Sequence, residues 1–375
     1  MHHFSTSKKI HNVIILAVII LTAACHPKKE ERAIQPLSPG SKLLTLFGHG
    51  RSVDDIAWSP DGKKIVTAST DGAAIIWSAI DGKQLFYFQT ISHINTARWS
   101  PDGSKIATAA GSAVDKSAGI WSANDGRQLF GLNEHYGSEV AQWSADGTKV
   151  AVGNGDGTAI IWSAINGSKL RVLNGHSERV TGIEWSPDGT KIATSSLDHT
   201  AIIWSAVDGS KLLTLTGHSS YINSIKWSPD GRKLITASLD ESAIIWSATD
   251  SIPLLTLRGH TLGVWSARWS PDGTKVATAS NDKTAALWSA DDGTKIQTIA
   301  DHTGIVYAVE WSPDGTKLAT ASGDDTAIVW SVKTGKKLFT LHEKSAVGGI
   351  QWSPDGTKLA TACNFGEATV WYIGK

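Results

Sequence analysis

The chain has 375 residues with 35 basic and 35 acidic side chains, 17 tryptophans, one methionine and two cysteines. Balanced charge excludes the basic field that recruits nucleic acid or an anionic bilayer. Two cysteines build no disulfide framework, and glycines or Asp-Gly pairs roughly every ten residues leave little room for long helices.

Residues 1–25 differ in composition from the rest. Lys8 and Lys9 precede an apolar run from Val13 to Leu21, followed by Thr22-Ala23-Ala24-Cys25. A basic start, a short apolar segment and small residues before a cut make a secretory signal. The 13 residues from Val13 to Cys25 are too few to span a bilayer as a helix. The Cys25 context resembles a bacterial lipoprotein signal, with Thr22 three positions before the cysteine and Leu21 one further back. That resemblance implies a signal over 1–24, lipidation of Cys25 and a periplasmic or outer-membrane site in the bacterial envelope; ordinary cleavage without lipid is the alternative. Losing residues 1–24 leaves 33 basic against 35 acidic residues. Residues 25–40 then read as a polar tether, with Lys28-Lys29-Glu30-Glu31-Arg32, Pro36 and Pro39; such a stretch spans roughly 20 Å if flexible.

From residue 41 the chain repeats. Trp-Ser-Pro-Asp-Gly begins at Trp58, Trp99, Trp185, Trp227, Trp269, Trp311 and Trp352, and Trp143 opens an eighth copy with Ala145 in place of proline. A period near 42 residues marks one supersecondary unit stacked many times. In the unit 211–252, Lys211–Thr216 alternates as a strand and Gly217-His218 breaks it. Ile222–Trp227 is a second strand, Ser228-Pro229-Asp230-Gly231 a turn, Lys233–Ser238 a third strand and Ala243–Ser247 a fourth. Asp-Gly or Asn-Gly pairs mark the next hairpin in most repeats; the fifth uses Asp250-Ser251-Ile252-Pro253, with Pro253 tolerated on an outermost strand. Four short antiparallel strands repeated radially make a β-propeller. Ser41–Phe47 matches the outermost strand of a unit and Ala368–Tyr372 the third strand of the eighth. The first strand therefore completes the last blade, and the expected fold is an all-β ring of eight blades over 41–375.

The repeats resemble the WD-repeat (Trp-Asp, WD40) family. The resemblance rests on Gly-His at 48–49, 175–176, 217–218 and 259–260, the variant Asp301-His302, and an aspartate six residues before the second tryptophan of seven repeats, Asp71/Trp77, Asp115/Trp121 and Asp156/Trp162 among them. It implies a His–Thr–Asp–Trp hydrogen-bond tie within a blade. Five repeats keep all four types: His49, Thr67, Asp71, Trp77; His176, Thr194, Asp198, Trp204; His218, Thr236, Asp240, Trp246; His260, Thr278, Asp282, Trp288; and His302, Thr320, Asp324, Trp330. Blades two, three and eight carry Thr90, Glu134 and Glu343 at the histidine position, and Phe365 replaces the last aspartate, so these blades are expected to be the least stable. Because the His–Asp pair recurs five times with no nucleophile attached to one copy, it reads as structural. No metal, cofactor or catalytic group is expected.

Function is sought where repeats disagree. The residue before each first tryptophan runs Ala57, Arg98, Gln142, Glu184, Lys226, Arg268, Glu310, Gln351, and neighbouring opposite charges read as a solvated, internally neutralised channel. Four residues before the tryptophan stand Asp54, Asn95, Glu139, Thr181, Asn223, Trp265, Tyr307 and Gly348. The family resemblance places that position on the usual partner-binding face, beside the Gly-His loops. Trp265 and Tyr307, with Leu262 and Ile305, have the composition of an interface hot spot; Asp54, Glu139, Arg51, Tyr136, Arg179 and Tyr221 are further candidates. The expected function is a non-enzymatic, monomeric scaffold that binds a protein or peptide and is tethered by lipid in the bacterial envelope. The alternatives are a propeller enzyme or small-ligand binder at the channel mouth, and, by analogy of fold, an accessory lipoprotein of outer-membrane assembly.

Overall fold

A computed structural model describes residues 37–111, 118–132 and 137–374. Among them are eight separate four-stranded antiparallel sheets. Blade one runs outward as Val53–Trp58, Lys64–Ser69, Ala73–Ser78 and Gln84–Gln89. Blades two to seven follow the same order. Blade eight takes Val347–Trp352, Lys358–Cys363 and Glu367–Tyr372, then Ser41–Phe47 as its outermost strand, with Lys42 opposite Trp371 and Phe47 opposite Glu367. The ring is closed by the first strand, as its sequence implies.

The burial pattern explains the strand sequences. Third strands such as Ala-Ala-Ile-Ile-Trp in Ala73–Ser78 are buried on both faces, because each blade is covered by its two neighbours. Continuous apolar runs suit that setting. Outermost strands such as Gln84–Gln89 alternate, with Phe88 buried and Tyr87 exposed. The core is therefore distributed between blades. One cluster joins Val53, Ile56, Trp58 and Ile75 of blade one to Leu46, Ala360, Ala362 and Val370 of blade eight. Cys363 packs in another, 2% exposed, and burial pushes its thiol pKa up.

The repeated pentapeptide is a self-contained turn. In blade five, Ser228 Oγ donates to Asp230 Oδ1 at 2.6 Å and accepts from Lys233 N at 2.9 Å. Asp230 also accepts from Arg232 N at 3.0 Å, and Gly231 takes φ 69°. Its tryptophan links blades. The Trp58 indole N–H donates to the Gln351 carbonyl at 3.2 Å, Trp99 to Ala57 at 3.0 Å and Trp143 to Arg98 at 2.9 Å. Trp185, Trp227, Trp269, Trp311 and Trp352 repeat the bond, so eight indoles form an unbroken circle, each holding the blade before it.

The proline has a role between blades as well. A Cβ added to Gly231 would sit 3.4 Å from Pro187 Cδ, and Gly273 meets Pro229 at 3.5 Å in the same way. At Gly189, which faces Ala145, nothing lies within 4 Å. Ala145→Pro is therefore expected to raise stability by about 0.5–1 kcal/mol, through a stiffer unfolded chain and a filled gap. Urea unfolding with an unchanged midpoint would refute this.

Candidate functional site

Two sets of side chains are candidates: the five histidine ties and the rim of the channel. In blade four His176 Nε2 lies 2.8 Å from Thr194 Oγ1, whose oxygen also accepts from the Trp204 indole at 2.8 Å. His176 Nδ1 lies 2.9 Å from Asp198 Oδ2. Thr194 spends its proton on Nε2, so the neutral imidazole carries its proton on Nδ1 and donates it to the carboxylate. Burial, the main influence, holds His49, His176, His260 and His302 below the ordinary imidazole range despite their aspartates. Burial opposes the aspartate charges, yet hydrogen bonds to Asp71, Asp198, Asp240, Asp282 and Asp324 outweigh it and keep them ionised. The remaining ties repeat this geometry at His49, His218, His260 and His302. They are buried and internally satisfied, which is what a structural tie requires.

Blade eight, without the histidine and aspartate of the tie, builds a different one in their place. Glu343 replaces the histidine and accepts from Thr361 Oγ1 at 2.6 Å, the Trp371 indole at 3.1 Å and Thr369 Oγ1 at 3.1 Å. Lys42 Nζ, on the closing strand, lies 3.4 Å from Glu343 Oε2 and 4.8 Å from the Trp371 ring centre. In blade two Thr90 bonds backbone carbonyls of Gly72 and Ser92, while Trp121 still donates to Thr108 at 2.9 Å. Glu134 and Asp115 lie outside the described residues.

The rim has a cause that the sequence pattern does not reveal. In every blade the pairing of the two innermost strands shifts register at one residue. The skipped residues are Asp54, Asn95, Glu139, Thr181, Asn223, Trp265, Tyr307 and Gly348. A β-bulge releases its extra residue from the ladder and re-aims the side chain. Eight bulges thus present seven side chains, and Gly348, at one mouth of the channel.

These side chains fall into two arcs. Trp265 is 36% exposed and meets the half-buried Tyr307 edge to face, ring centres 6.3 Å apart at 68°. The Trp265 indole donates to Asn281 Oδ1, which fixes its orientation. Leu262 is 50% exposed beside them, and Ile305 is half-buried. Tyr221 is exposed and its ring lies 5.6 Å from that of His199. On the other arc Glu139 pairs with Arg179 at 3.3 Å and accepts from Asn95 Nδ2 at 3.2 Å. Desolvation at the mouth raises the pKa of Asp54 and Glu139, opposed first by the Ser52 hydroxyl at Asp54 and by Arg179 at Glu139. Arg51 is exposed in its loop. Tyr136 and Cys25 lie outside the described residues.

Four further residues share a backbone conformation at the same turn of blades four to seven. His199, Glu241, Lys283 and Asp325 hold φ between 66° and 70°, where Gly72, Gly157 and Gly366 stand in other blades. A non-glycine residue in that region costs on the order of 1 kcal/mol. Four consecutive blades, four to seven, keep a polar side chain there, and sequence inspection offers no signal for it beyond the missing glycine.

The channel itself is neutralised in pairs. Lys226 bonds Glu184, Arg98 bonds Asp55, and Arg268 Nε lies 3.1 Å from Glu310 Oε2. The cavity they line has a volume of about 470 Å³. Among the described residues no three His, Cys, Asp or Glu side chains gather as a metal ion needs.

The family model described as WD domain, G-beta repeat matches residues 40–78, 83–122, 126–163, 167–205, 209–247, 251–289, 293–331 and 335–366. The chain belongs to the WD-repeat family. Its general role is that of a WD-repeat scaffold for protein–protein contact. Among curated relatives, retinoblastoma-binding-like protein E of Dictyostelium discoideum is 38% identical over 52 residues, 14% of this chain and 10% of that protein. Ribosome assembly protein 4 of Saccharomyces cerevisiae is 38% identical over 53 residues, 14% of this chain and 10% of the relative. The matches thus span about a tenth of those relatives' length. The computationally designed Ika8 protein superposes with a TM-score of 0.79 at 21% identity, covering 88% of this chain and 99% of its own. The C-terminal WD40 domain of Sif2 gives 0.78 at 20%, covering 89% and 98%. These two likenesses carry the fold.

Proposed function

We propose that this WD-repeat propeller binds a protein or peptide partner on the bulged mouth of its channel, with Trp265 and Tyr307 as anchors. The observation that carries the reading is the exposed edge-to-face aromatic pair, held in place by a bulge and by Asn281. Aromatic side chains of fixed orientation lose little entropy on binding and dominate interface energetics. The left-handed polar residues on blades four to seven, the two aromatic blades included, support it, since strain concentrates where a surface is used. Residues 1–25 favour a lipid tether at Cys25 in the bacterial envelope, on the pattern of basic start, apolar run and small residues alone.

The test is affinity capture with Trp265→Ala and Tyr307→Ala in the full chain. Each is expected to weaken the partner by about 2 kcal/mol, near thirtyfold, while leaving the melting temperature within a few degrees. Retention of every wild-type partner by the double variant would defeat the reading.

A further inference from the structure

The face opposite the bulged mouth has a pattern of its own. Each innermost strand ends there at its tryptophan turn, and the hairpin joining the third and outermost strands turns there in blades one to seven. The described chain also enters at this face. Its closing strand runs from Ser41, opposite Tyr372 at the turn face, to Phe47, opposite Glu367 at the mouth. Gly40 N donates to the Tyr372 carbonyl at 2.7 Å, and a Cβ on Gly40 would meet the Phe339 ring of blade seven at 3.5 Å. Residues 25–36 separate this point from Cys25, a reach of roughly 20 Å if flexible and about 40 Å at full extension.

The balance of total charge does not hold face by face, so the exclusion of an anionic bilayer drawn from that total does not extend to this face. The mouth loops carry an excess of carboxylates. At the turn face the second strand of every blade opens with a lysine, from Lys64 in blade one to Lys358 in blade eight. Those lysines are offset by the turn aspartates, and the clearest surplus lies in the outer hairpin of blade seven. In blades one and two, Asp81 and Asp125 precede the hairpin glycine and pair with Lys83 and Arg127. Blade seven has Thr334 at that position. Lys333 and Lys336 on either side of it are exposed, with no carboxylate at ion-pair distance among the described residues.

Lys333 holds the hairpin-tip position that is Ile80, Ile165 and Val207 in blades one, three and four. Those apolar side chains are 80%, 74% and 73% exposed. Equivalent positions around one ring lie at one level, so a flat surface reaches all four tips. Apolar tips beside unpaired lysines match the interface of an anionic bilayer, which takes apolar groups at its acyl boundary and draws cations to its phosphates.

We propose that the turn face docks on an anionic phospholipid surface, with Lys333 and Lys336 at the phosphates and Ile80, Ile165 and Val207 at the acyl boundary. This builds on the tether reading of Cys25, which brings this face rather than the mouth within reach of a membrane. It fixes the orientation of the ring: the bulged mouth points away from the lipid, open to its partner.

The experiment places an environment-sensitive fluorophore at Ile165→Cys, or at Leu262→Cys on the mouth face, in the full chain carrying Cys25→Ser; Cys363 is buried and stays unlabelled. Residues 1–24 are common to every variant. Vesicles of phosphatidylcholine with about a third phosphatidylglycerol should blue-shift the emission from position 165 and leave position 262 unchanged. Removing two lysines with Lys333→Gln/Lys336→Gln should weaken the response at 165 by about fivefold each, near thirtyfold together. Vesicles of phosphatidylcholine alone should weaken it at least as much. A silent position 165, a response from 262 instead, or an unchanged titration of the lysine pair would overturn the docking face. Mass spectrometry of Cys25 from the native host separates the two readings. An unlipidated Cys25 with a responsive position 165 removes the tether and leaves the face, whereas a lipidated Cys25 with a silent 165 removes the face alone.

Discussion

Glu343→Ala is expected to lower the unfolding free energy by about 3 kcal/mol, the largest single-residue loss outside the aromatic core. Three buried donors converge on this carboxylate: the Thr361 and Thr369 hydroxyls and the Trp371 indole. Its side chain is 1% exposed, so alanine leaves a cavity that is both polar and closed. Lys42 brings the closing strand to the same oxygen pair, which couples the loss to the seam of the ring. Glu343→Gln keeps one acceptor oxygen for Thr361 and Trp371 but sets an NH2 donor against Thr369 and Lys42, so it should cost less than alanine and still lose the Oε2 contacts. Glu343→His does not restore the tie found in other blades, because Phe365 stands where the aspartate would be. Urea unfolding ranks the three variants, and hydrogen exchange on strand Glu367–Tyr372 locates the opening. An alanine variant within about 0.5 kcal/mol of wild type would contradict this account of blade eight.

Acid is the second large lever. His49, His176, His260 and His302 have depressed pKa values in the folded ring, because burial penalises the imidazolium. The folded state therefore binds fewer protons than the unfolded chain once the pH falls below the ordinary histidine value of about 6.5. Stability is complete above that pH and declines as pH drops toward the folded values. The partner aspartates stay ionised through this window, since their own values are lowered. One histidine contributes at most about 1.4 kcal/mol per pH unit, which sets a ceiling of about 5.5 kcal/mol per pH unit for four. Urea midpoints measured from pH 7.5 to 5 should fall, and replacing His176 with glutamine should flatten the slope by about a quarter. A midpoint that does not move between pH 7 and 5 would show that the imidazoles are not held neutral.

Much of the fold was legible because its causes are local. Ser-Pro-Asp-Gly closes a turn through its own side chains, and Trp58 and its seven counterparts sit at fixed spacing because each bonds the blade before it. The closing strand was legible from the match of Ser41–Phe47 to other outermost strands. The site was legible only as positions that vary. That those positions are bulges depends on pairing between strands, which no residue type signals. Lys226–Glu184 was legible from the opposite charges of neighbouring repeats, whereas Asp55, 43 residues before Arg98, emerges as its partner only with the ring. Glu343 shows the limit most clearly. A glutamate in a histidine slot reads as a lost tie until three donors and Lys42 are seen around it.

The central claim, that the bulged mouth is the partner face, is tested most directly by photo-crosslinking in the native host. A photoreactive amino acid replaces Leu262, 50% exposed beside Trp265, and in a second strain Val207, 73% exposed in a turn at the opposite ends of the strands. The account predicts one discrete adduct from position 262 that disappears with Tyr307→Ala, and none from position 207. An adduct formed from 207 and absent from 262 would contradict it.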